Sequence, residues 1–430
     1  MLALLLALQA ATPAQAPDTL PTVTLAEALR RATGLDPNYV AALGQVDNAV
    51  WARRAAFSVF ILPSVTLSTS ATRNSPPFFN FATFKPEPYA VQAAVVAQYD
   101  LFTGGQKLAE LTRSSAALEG AHAGELQARF ASALLTESDY NAVLADRELA
   151  RVARDRVRRA EEQLAVARAR VKTGAAVQTD SLQLRLELTQ ARVALLQQES
   201  ALRVSRLELG RRIGAAGAVD AASLDSVPLP DLPLTLADAV TEAADQGPRY
   251  RQVAASERAA AASYRAQLGA YLPRATVSWN NTRYDNSFFP GLKRFEGLTL
   301  SVSFPLWDNA HREIALSQAR VNRDVVRAIR DDMQRAVQHD VTAAYDGYVT
   351  SKASTDLAID GLAVARENFR VQQSRYGAGA TTILDLLEAE VSLSAAEAQL
   401  VQSRYSSRLA LAGLEAILGR RLFTTNQEHP

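Results

Sequence analysis

The chain has 430 residues, of which 48% are hydrophobic and 21% charged, a balance that argues against a disordered protein. Its formal net charge of +1 removes the electrostatic attraction that draws basic proteins to nucleic acid. It has no cysteine, which excludes disulfides, thiolate catalysis and cysteine-ligated zinc.

The N-terminal segment, residues 1–16, is predicted to be a secretory signal peptide. Residues 2–8 are all leucine or alanine, and Ala14-Gln15-Ala16 is a small-x-small cleavage signature. No lysine or arginine precedes the apolar run, so an apolar tail on a cytosolic chain is the alternative. No apolar run in the sequence reaches the length of about 20 residues that a membrane-spanning helix needs.

The rest of the sequence contains two copies of one pattern. Thr24-Leu-Ala-Glu-Ala-Leu matches Thr235-Leu-Ala-Asp-Ala-Val. A constant offset then relates later positions, among them the pairs Tyr140 and Tyr345, Gly174 and Gly379, and Asp180 and Asp385. We predict a first structural repeat over 17–214, a proline-rich linker over 215–234, a second repeat over 235–419 and a C-terminal tail over 420–430.

Each repeat is predicted to begin with two helices and to continue into two strands. Thr24 and Thr235 have the positions of helix N-caps, each with an acidic residue three positions later. Alternating apolar and polar residues indicate strands at about 62–73 and 89–100 in the first repeat, and at about 272–284 and 296–306 in the second. Segments rich in aromatic residues and proline, at 75–79 and 287–290, are predicted to be the loops that join the strands.

A long helical hairpin is predicted to follow the strands of each repeat, at about 104–213 and about 309–418. The first helix of each hairpin contains no proline, and about 70 helical residues span roughly 105 Å. Gly174 and Gly379 are predicted to form the turns at the hairpin tips. We interpret the charged run Arg151–Arg170 as a solvated helix face.

The return helix of the first hairpin has two stripes of residues at heptad spacing. The first stripe consists of Leu182, Leu186, Thr189, Val193, Leu196, Ser200, Arg203 and Leu207. The second stripe consists of Leu184, Leu188, Ala191, Leu195, Gln198, Leu202, Ser205 and Leu209. Two stripes need a neighbouring helix on each side, as in a closed ring of helices; an antiparallel coiled coil with imperfect heptads is the alternative. Four strands are too few to close a barrel, so strands that cross an outer membrane would come from several chains.

These features together resemble the TolC-like outer-membrane efflux protein family. The most specific segment, Arg375-Tyr376-Gly-Ala-Gly379-Ala-Thr-Thr-Ile-Leu-Asp385-Leu-Leu-Glu388, is similar to the family's second hairpin tip, and Gly174-Ala-Ala-Val-Gln-Thr179-Asp180 is similar to the first. The resemblance covers essentially the whole mature chain. It implies a mainly α fold with a small β part, in which duplicated long α-helical hairpins form a periplasmic tunnel. Four strands per chain would contribute to the twelve-stranded β-barrel of a homotrimer in the outer membrane.

The resemblance also implies a gate at the periplasmic end of the tunnel, formed by Thr179, Asp180, Tyr376, Asp385 and Glu388. An arginine of the family's network falls at Thr381, so that inter-helix salt bridge cannot form in this chain, and Glu388 replaces a second aspartate. The two aspartates have an alternative role as helix caps, and Tyr376 as a packing residue. The hairpin-tip turns at Gly174 and Gly379 are expected to contact a periplasmic adaptor protein.

The function implied is that of the outer-membrane channel in a tripartite efflux or type I secretion system. Such a channel is a passive export duct, gated at its periplasmic tip, that contacts outer-membrane lipid and works with the adaptor and an inner-membrane transporter. A soluble periplasmic coiled-coil scaffold or tethering protein is the alternative. Because the four histidines are scattered and no catalytic or phosphate-binding motif is present, we expect no enzyme activity, no metal, no cofactor and no nucleic-acid partner.

Overall fold

A computed structural model describes residues 20–81, 84–224, 230–286 and 293–423. The predicted signal peptide, the loop at 287–290 and parts of the predicted linker and C-terminal tail lie outside the described residues. The described chain is mainly helical. In chain order its elements are β1 (Thr22–Val23), α1 (Leu25–Thr33), α2 (Pro37–Ile61), β2 (Ser64–Asn80), β3 (Lys85–Phe102), α3 (Gln106–Lys172), α4 (Gln178–Arg212), β4 (Asp220–Ala221), α5 (Leu236–Gln246), α6 (Pro248–Gly269), β5 (Arg274–Asp285), β6 (Lys293–Ser303), α7 (His311–Gly377) and α8 (Ile383–Leu418).

The first helix of each repeat begins with the cap that the sequence predicts. The Thr24 side chain accepts a hydrogen bond from the Glu27 N–H at the start of α1. At the start of α5, Thr235 and Asp238 form a complete capping box, in which each side chain accepts from the other residue's N–H. These bonds satisfy N–H groups that have no partner inside the helix, which fixes where the two helices start.

The four long strands form one antiparallel sheet in the order β2-β3-β5-β6, so that β2 and β6 are its edges. β2 and β3 are longer than predicted, because the segment at 75–79 continues β2 instead of forming a loop. The pairing of β2 with β3 shifts register between Arg73 and Phe78, and this irregularity takes up Pro76 and Pro77. Residues 74–77 have no partner on β3, so the two prolines remove no N–H group from the pairing of β2 with β3.

The register of β5 and β6 separates apolar from polar side chains. Leu298, Leu300 and Val302 lie opposite Trp279, Val277 and Ala275, whereas Thr299 and Ser301 lie opposite Ser278 and Thr276. Because side chains alternate between the faces of a strand, the first set occupies one face and the second set the other. The sheet therefore has an apolar and a polar face along these two strands.

The chain divides into two compact units, which we call the tip unit and the sheet unit. The tip unit comprises the described residues of Met1–Pro37, Ala131–Leu232 and Ala344–Leu414, and the sheet unit those of Asn38–Phe130, Pro233–Ala343 and Glu415–Pro430. One core of the tip unit surrounds the buried Tyr140, whose hydroxyl donates to the carbonyls of Val23 and Ala222 at 3.2 and 2.7 Å. These bonds attach the β1–β4 pair to α3.

Within the described parts of the chain, no helix contains an apolar stretch long enough to cross a membrane.

The return helix α4 buries only one of its two stripes. Leu184, Ala191 and Leu209 of the second stripe are fully buried. Leu182, Leu186 and Leu196 of the first stripe are 56%, 58% and 67% exposed. A single chain therefore provides a packing partner for one side of α4 and leaves the leucines of the other side in contact with solvent.

Candidate functional site at the hairpin tips

The two hairpin tips turn with the same backbone geometry. Gly174 and Gly379 follow α3 and α7 with φ of +76° and +77°, in the region that favours glycine. In each tip the N–H of the residue after the glycine donates to the carbonyl of an arginine, Arg170 or Arg375, at 2.8 Å. This bond closes the last helical turn and satisfies a carbonyl that would otherwise have no partner. The two glycines therefore supply the turn geometry that the sequence predicts for them.

Asp385 forms part of a capping box at the start of α8. Its Oδ2 accepts hydrogen bonds from the hydroxyls of Thr381 and Thr382 at 2.7 Å and from the Thr382 N–H at 3.0 Å, and the Thr382 hydroxyl accepts from the Asp385 N–H at 3.3 Å. The Thr382 hydroxyl, then the Thr381 hydroxyl and the Thr382 N–H, hold the pKa of Asp385 at about 2. Asp385 is thus the third residue of α8, and its carboxylate caps the start of this helix. The carboxylate stays ionised at neutral pH.

Asp180 has a different role from its counterpart Asp385. α4 starts at Gln178 with Val177 at the cap position, where no side chain makes a capping bond. Asp180 lies in the first turn of α4 and accepts a hydrogen bond from the Tyr376 hydroxyl at 3.4 Å. The contact joins residues 196 positions apart in the sequence and thereby links the two hairpins. Thr179, the preceding residue, is exposed.

Tyr376 is both a packing residue and a hydrogen-bond donor. It is 4% exposed and belongs to the core formed by α3, α4, α7 and α8. Burial, and then the Asp180 carboxylate, raise the pKa of its hydroxyl, against the opposing effect of Arg170. The hydroxyl therefore keeps its proton and donates a hydrogen bond to Asp180. The packing role that the sequence analysis gave as the alternative for Tyr376 is therefore present, and its part in a gate stays a prediction.

Arg170 is the tip residue that the sequence analysis did not single out. Its guanidinium lies over the Tyr376 ring, 4.9 Å from the ring centroid, and its Nη1 donates to the Tyr376 carbonyl. Its Nη2 donates to the Ala175 carbonyl in its own tip at 3.2 Å. Arg170 therefore contacts both hairpin tips at once. Its partner Tyr376 is 206 positions away, which no local pattern in the sequence reveals.

Comparison with known proteins identifies the family. The family described as "Outer membrane efflux protein" matches residues 25–215 and 239–420 of this chain. The chain belongs to this family. The TolC-like resemblance stated from the hairpin-tip residues is therefore confirmed.

Two curated relatives align with parts of this efflux-family chain. It is 29% identical over 206 residues to the alkaline protease secretion protein AprF of Pseudomonas aeruginosa, and 26% identical over 188 residues to Protein CyaE of Bordetella pertussis. The alignments cover 44% and 43% of this chain and 41% and 40% of the relatives. The chain thus spans about two fifths of the length of the relatives it matches.

The fold is that of a solved outer membrane protein, VceC from Vibrio cholerae. The TM-score is 0.80 at 16% sequence identity, over 93% of this chain and 97% of VceC. The predicted fold class, mainly α with duplicated long hairpins and a small β part, is therefore confirmed. Both the family and the fold are those of outer-membrane channels.

Glu388 completes the set of predicted tip residues in this efflux-family chain. It lies in α8, three residues after Asp385, and both side chains are exposed. In the part of the chain that the structure describes, Glu388 has no hydrogen bond or ion pair, in contrast to Asp385. The described residues also contain no group of three or more histidine, aspartate or glutamate side chains arranged to hold a metal ion.

A buried ion network joins α3 to α8 within the tip unit. Glu390 is 1% exposed and accepts hydrogen bonds from Arg159 at 3.0 Å and Gln163 at 3.5 Å, and Arg159 also donates to Glu397 at 3.2 Å. Burial raises the pKa of Glu390, and Arg159 opposes the rise. The prediction that Arg151–Arg170 is a solvated face is therefore wrong for Arg159, because this side chain points at the buried carboxylate of another helix.

Proposed function

We propose that this chain is the outer-membrane channel of a tripartite efflux or type I secretion system, in which three copies form a passive export duct. The observation that carries the proposal is the four-stranded sheet, with an apolar and a polar face and with β2 and β6 as edges. Lipid does not tolerate open strand edges, because no water is there to bond their N–H and C=O groups. Pairing β6 of one copy with β2 of the next closes a twelve-stranded barrel when three copies join.

The first stripe of α4 supports the homotrimer. Its leucines are exposed in the single chain, whereas the second stripe is packed against helices of the same chain. A neighbouring copy that covers the first stripe would extend the helix packing from one chain to the next. Repeated around a threefold axis, this contact gives a closed ring of helices, the periplasmic tunnel.

The tip contacts support a gate at the end of this tunnel. The bond between Tyr376 and Asp180 holds the two hairpins of one copy together, and Thr179 lies exposed beside it. Asp385 and Glu388 are exposed carboxylates on α8. Around a threefold axis they form rings of negative charge, which attract cations and repel anions.

The exposed turns at Gly174 and Gly379 are the parts of the tip that we assign to a periplasmic adaptor protein. Through the adaptor the duct works with an inner-membrane transporter. AprF is named for the secretion of alkaline protease, which favours secreted polypeptides as one class of cargo. The family's name favours efflux substrates as another.

Reconstitution of the purified full-length protein tests the proposal. We expect the protein in the detergent-extracted outer membrane, a trimer by light scattering corrected for detergent, and discrete conductance steps in planar bilayers. The scaffold alternative predicts protein in the periplasmic supernatant and no conductance, and that result would contradict the duct. Co-purification with a periplasmic adaptor protein, lost when both tip turns are replaced, tests the adaptor contact separately.

A further inference from the structure

We propose that Arg170 is a positioning residue that holds the second hairpin tip in the resting arrangement of the duct. The inference rests on the proposed function, because it concerns the gate. It assigns to the first repeat a side chain that fastens the tip of the second repeat. The set of gate residues derived from the resemblance does not contain this arginine.

The contacts of Arg170 with the second tip are of two kinds. Its guanidinium lies over the ring of the buried Tyr376, a cation–π arrangement with the charge 4.9 Å from the ring centroid. Its Nη1 donates to the Tyr376 carbonyl, which belongs to the last turn of α7. Carbonyls in the last turn of a helix carry partial negative charge, so a cation is favoured at this place. The planar guanidinium satisfies both contacts with one orientation.

The turn of the second tip leaves room for this guanidinium. A Cβ atom at Gly379 would lie 3.2 Å from Nη2 of Arg170, closer than an ordinary van der Waals contact. A Cβ atom at Gly174, which has almost the same φ, would meet nothing within 4 Å. The two glycines therefore share one backbone requirement, and Gly379 has a second one that comes from Arg170.

Within the described residues, the second tip has no arginine that makes the corresponding contact with the first tip. Arg375 occupies the position in α7 that corresponds to Arg170 in α3, and it donates to the Ala380 carbonyl of its own tip at 3.4 Å. Among the described residues it donates to no group of the first tip. Together with the bond from Tyr376 to Asp180, Arg170 completes a chain of contacts from α3 to α7 to α4. When Arg170 is removed, the second tip keeps the hydroxyl bond to Asp180 and the packing of Tyr376 in the core.

The pair Arg170→Ala and Arg375→Ala tests the proposal in planar bilayers. Each substitution removes one arginine that bonds to a carbonyl of its own tip, but only Arg170→Ala removes the contacts between tips. We expect Arg170→Ala to raise the occupancy of the higher conductance levels by about tenfold, as the loss of a cation–π contact and a charged hydrogen bond implies. Arg375→Ala should conduct like the wild type. Arg170→Lys, which keeps the charge without the planar fork, should fall between them.

Light scattering and thermal melting accompany each variant, so that a folding defect is recognised. If Arg170→Ala does not assemble, Gly379→Ala provides a second route, because its Cβ would meet Nη2 of Arg170 at 3.2 Å and the guanidinium must shift while the arginine stays in place. Gly174→Ala carries the same backbone strain, and the excess conductance of Gly379→Ala over Gly174→Ala then isolates the Arg170 contact. Equal conductance in the two arginine variants, or in the two glycine variants, would overturn the proposal. A wild-type protein that does not conduct at all would contradict the proposed duct instead.

Discussion

Asp385 and Glu388 lie three positions apart in α8, but only the Asp385 carboxylate is held by hydrogen bonds. Asp385 accepts hydrogen bonds from Thr381 and Thr382, whereas Glu388 is exposed and has no partner among the described residues. We predict that Asp385→Asn and Glu388→Gln both weaken block of the channel by divalent cations, since each removes one ring of charge. Only Asp385→Asn should also lower the Tm, because it weakens the capping box. Bilayer recordings with divalent titration, paired with melting curves, separate the two effects.

The outcome that counts against this assignment is a normal divalent block in both variants with a lower Tm in Asp385→Asn alone. Asp385 would then be a capping residue only, and the constriction would lie elsewhere. Thr382→Ala is the matched control, because it removes hydroxyl bonds of the capping box and leaves both carboxylates charged. It should lower the Tm and leave the block by divalent cations in place.

The pH dependence of the tip follows from the depressed pKa of Asp385. The pKa of about 2 in the folded chain is below the ordinary aspartate value of about 3.9. A group whose pKa is lowered on folding stabilises the fold above its unfolded pKa and loses this effect as the pH falls through its folded pKa. We therefore expect the Asp385 contribution to the Tm to be constant from pH 8 to about pH 5 and to disappear between about pH 4 and pH 2, as melting curves of wild type and Asp385→Asn would measure.

At the residue scale the sequence predicts what is local and misses what is distant. Gly174, Gly379 and the capping role of Asp385 follow from neighbours within a few positions. The partners of Arg170 and Arg159 lie 206 and 231 positions away, so the pattern of their own helix alone predicts a solvated face. Long basic side chains on a helix have no local signal for the helix that they will meet.

At the scale of elements, the link between α3 and α8 depends on a buried charge pair. Arg159 and Glu390 have side-chain exposures of 14% and 1%. Removal of one partner leaves the other charge buried, so Arg159→Met should lower the free energy of unfolding by about 3–5 kcal/mol. The matched control is Arg158→Met, whose exposed pair with Asp155 should contribute about 0–1 kcal/mol. Denaturation of both variants in detergent gives the comparison.

The deficit of Arg159→Met should depend on pH. Burial raises the pKa of Glu390 in the folded chain, and the loss of Arg159 removes the main group that opposes the rise. A group with a raised folded pKa favours the fold at low pH, and this advantage is lost as the pH increases through the folded pKa. The variant should therefore be most destabilised at neutral pH and recover as the pH falls toward about 4.3, the ordinary glutamate value. An equal deficit at pH 5 and pH 8 would show that Glu390 is not the unpaired group.

The two faces of β6 give a second prediction at this scale. Val302 belongs to the apolar face and Ser301 to the polar face, as their partners Ala275 and Thr276 on β5 indicate. An arginine on the lipid side of a barrel costs about 2–4 kcal/mol at mid-bilayer. We expect Val302→Arg to impair assembly into the outer membrane, measured by the yield of heat-resistant trimer, and Ser301→Arg to assemble and change conductance. Equal behaviour of the two variants would mean that the faces are assigned wrongly.

The elements themselves differ in how far the sequence reveals them. A long stretch without proline predicts the first helix of each hairpin, and the structure begins α3 at Gln106 where the sequence predicts about 104. The prolines at 76 and 77 normally indicate a loop, and only the pairing with β3 shows that an irregularity within β2 accommodates them. β1 and β4, with two residues each, are too short for any periodic pattern, and their pairing joins distant segments of the chain.

At the scale of the whole molecule, the first stripe of α4 decides whether the chain functions alone. Leu196 is 67% exposed, so the substitution Leu196→Glu removes little packing inside a single chain. If a neighbouring copy covers it, each copy loses about 1.5–3 kcal/mol of apolar burial, and the loss occurs at all three contacts of a closed ring. We therefore predict that Leu196→Glu shifts the purified protein from trimer toward monomer, while its helix content stays normal. Gln190→Glu, which introduces the same charge on an exposed part of α4 outside both stripes, should remain a trimer. Light scattering and circular dichroism measure both properties, and a stable trimer in Leu196→Glu would mean that the first stripe is not the contact between copies.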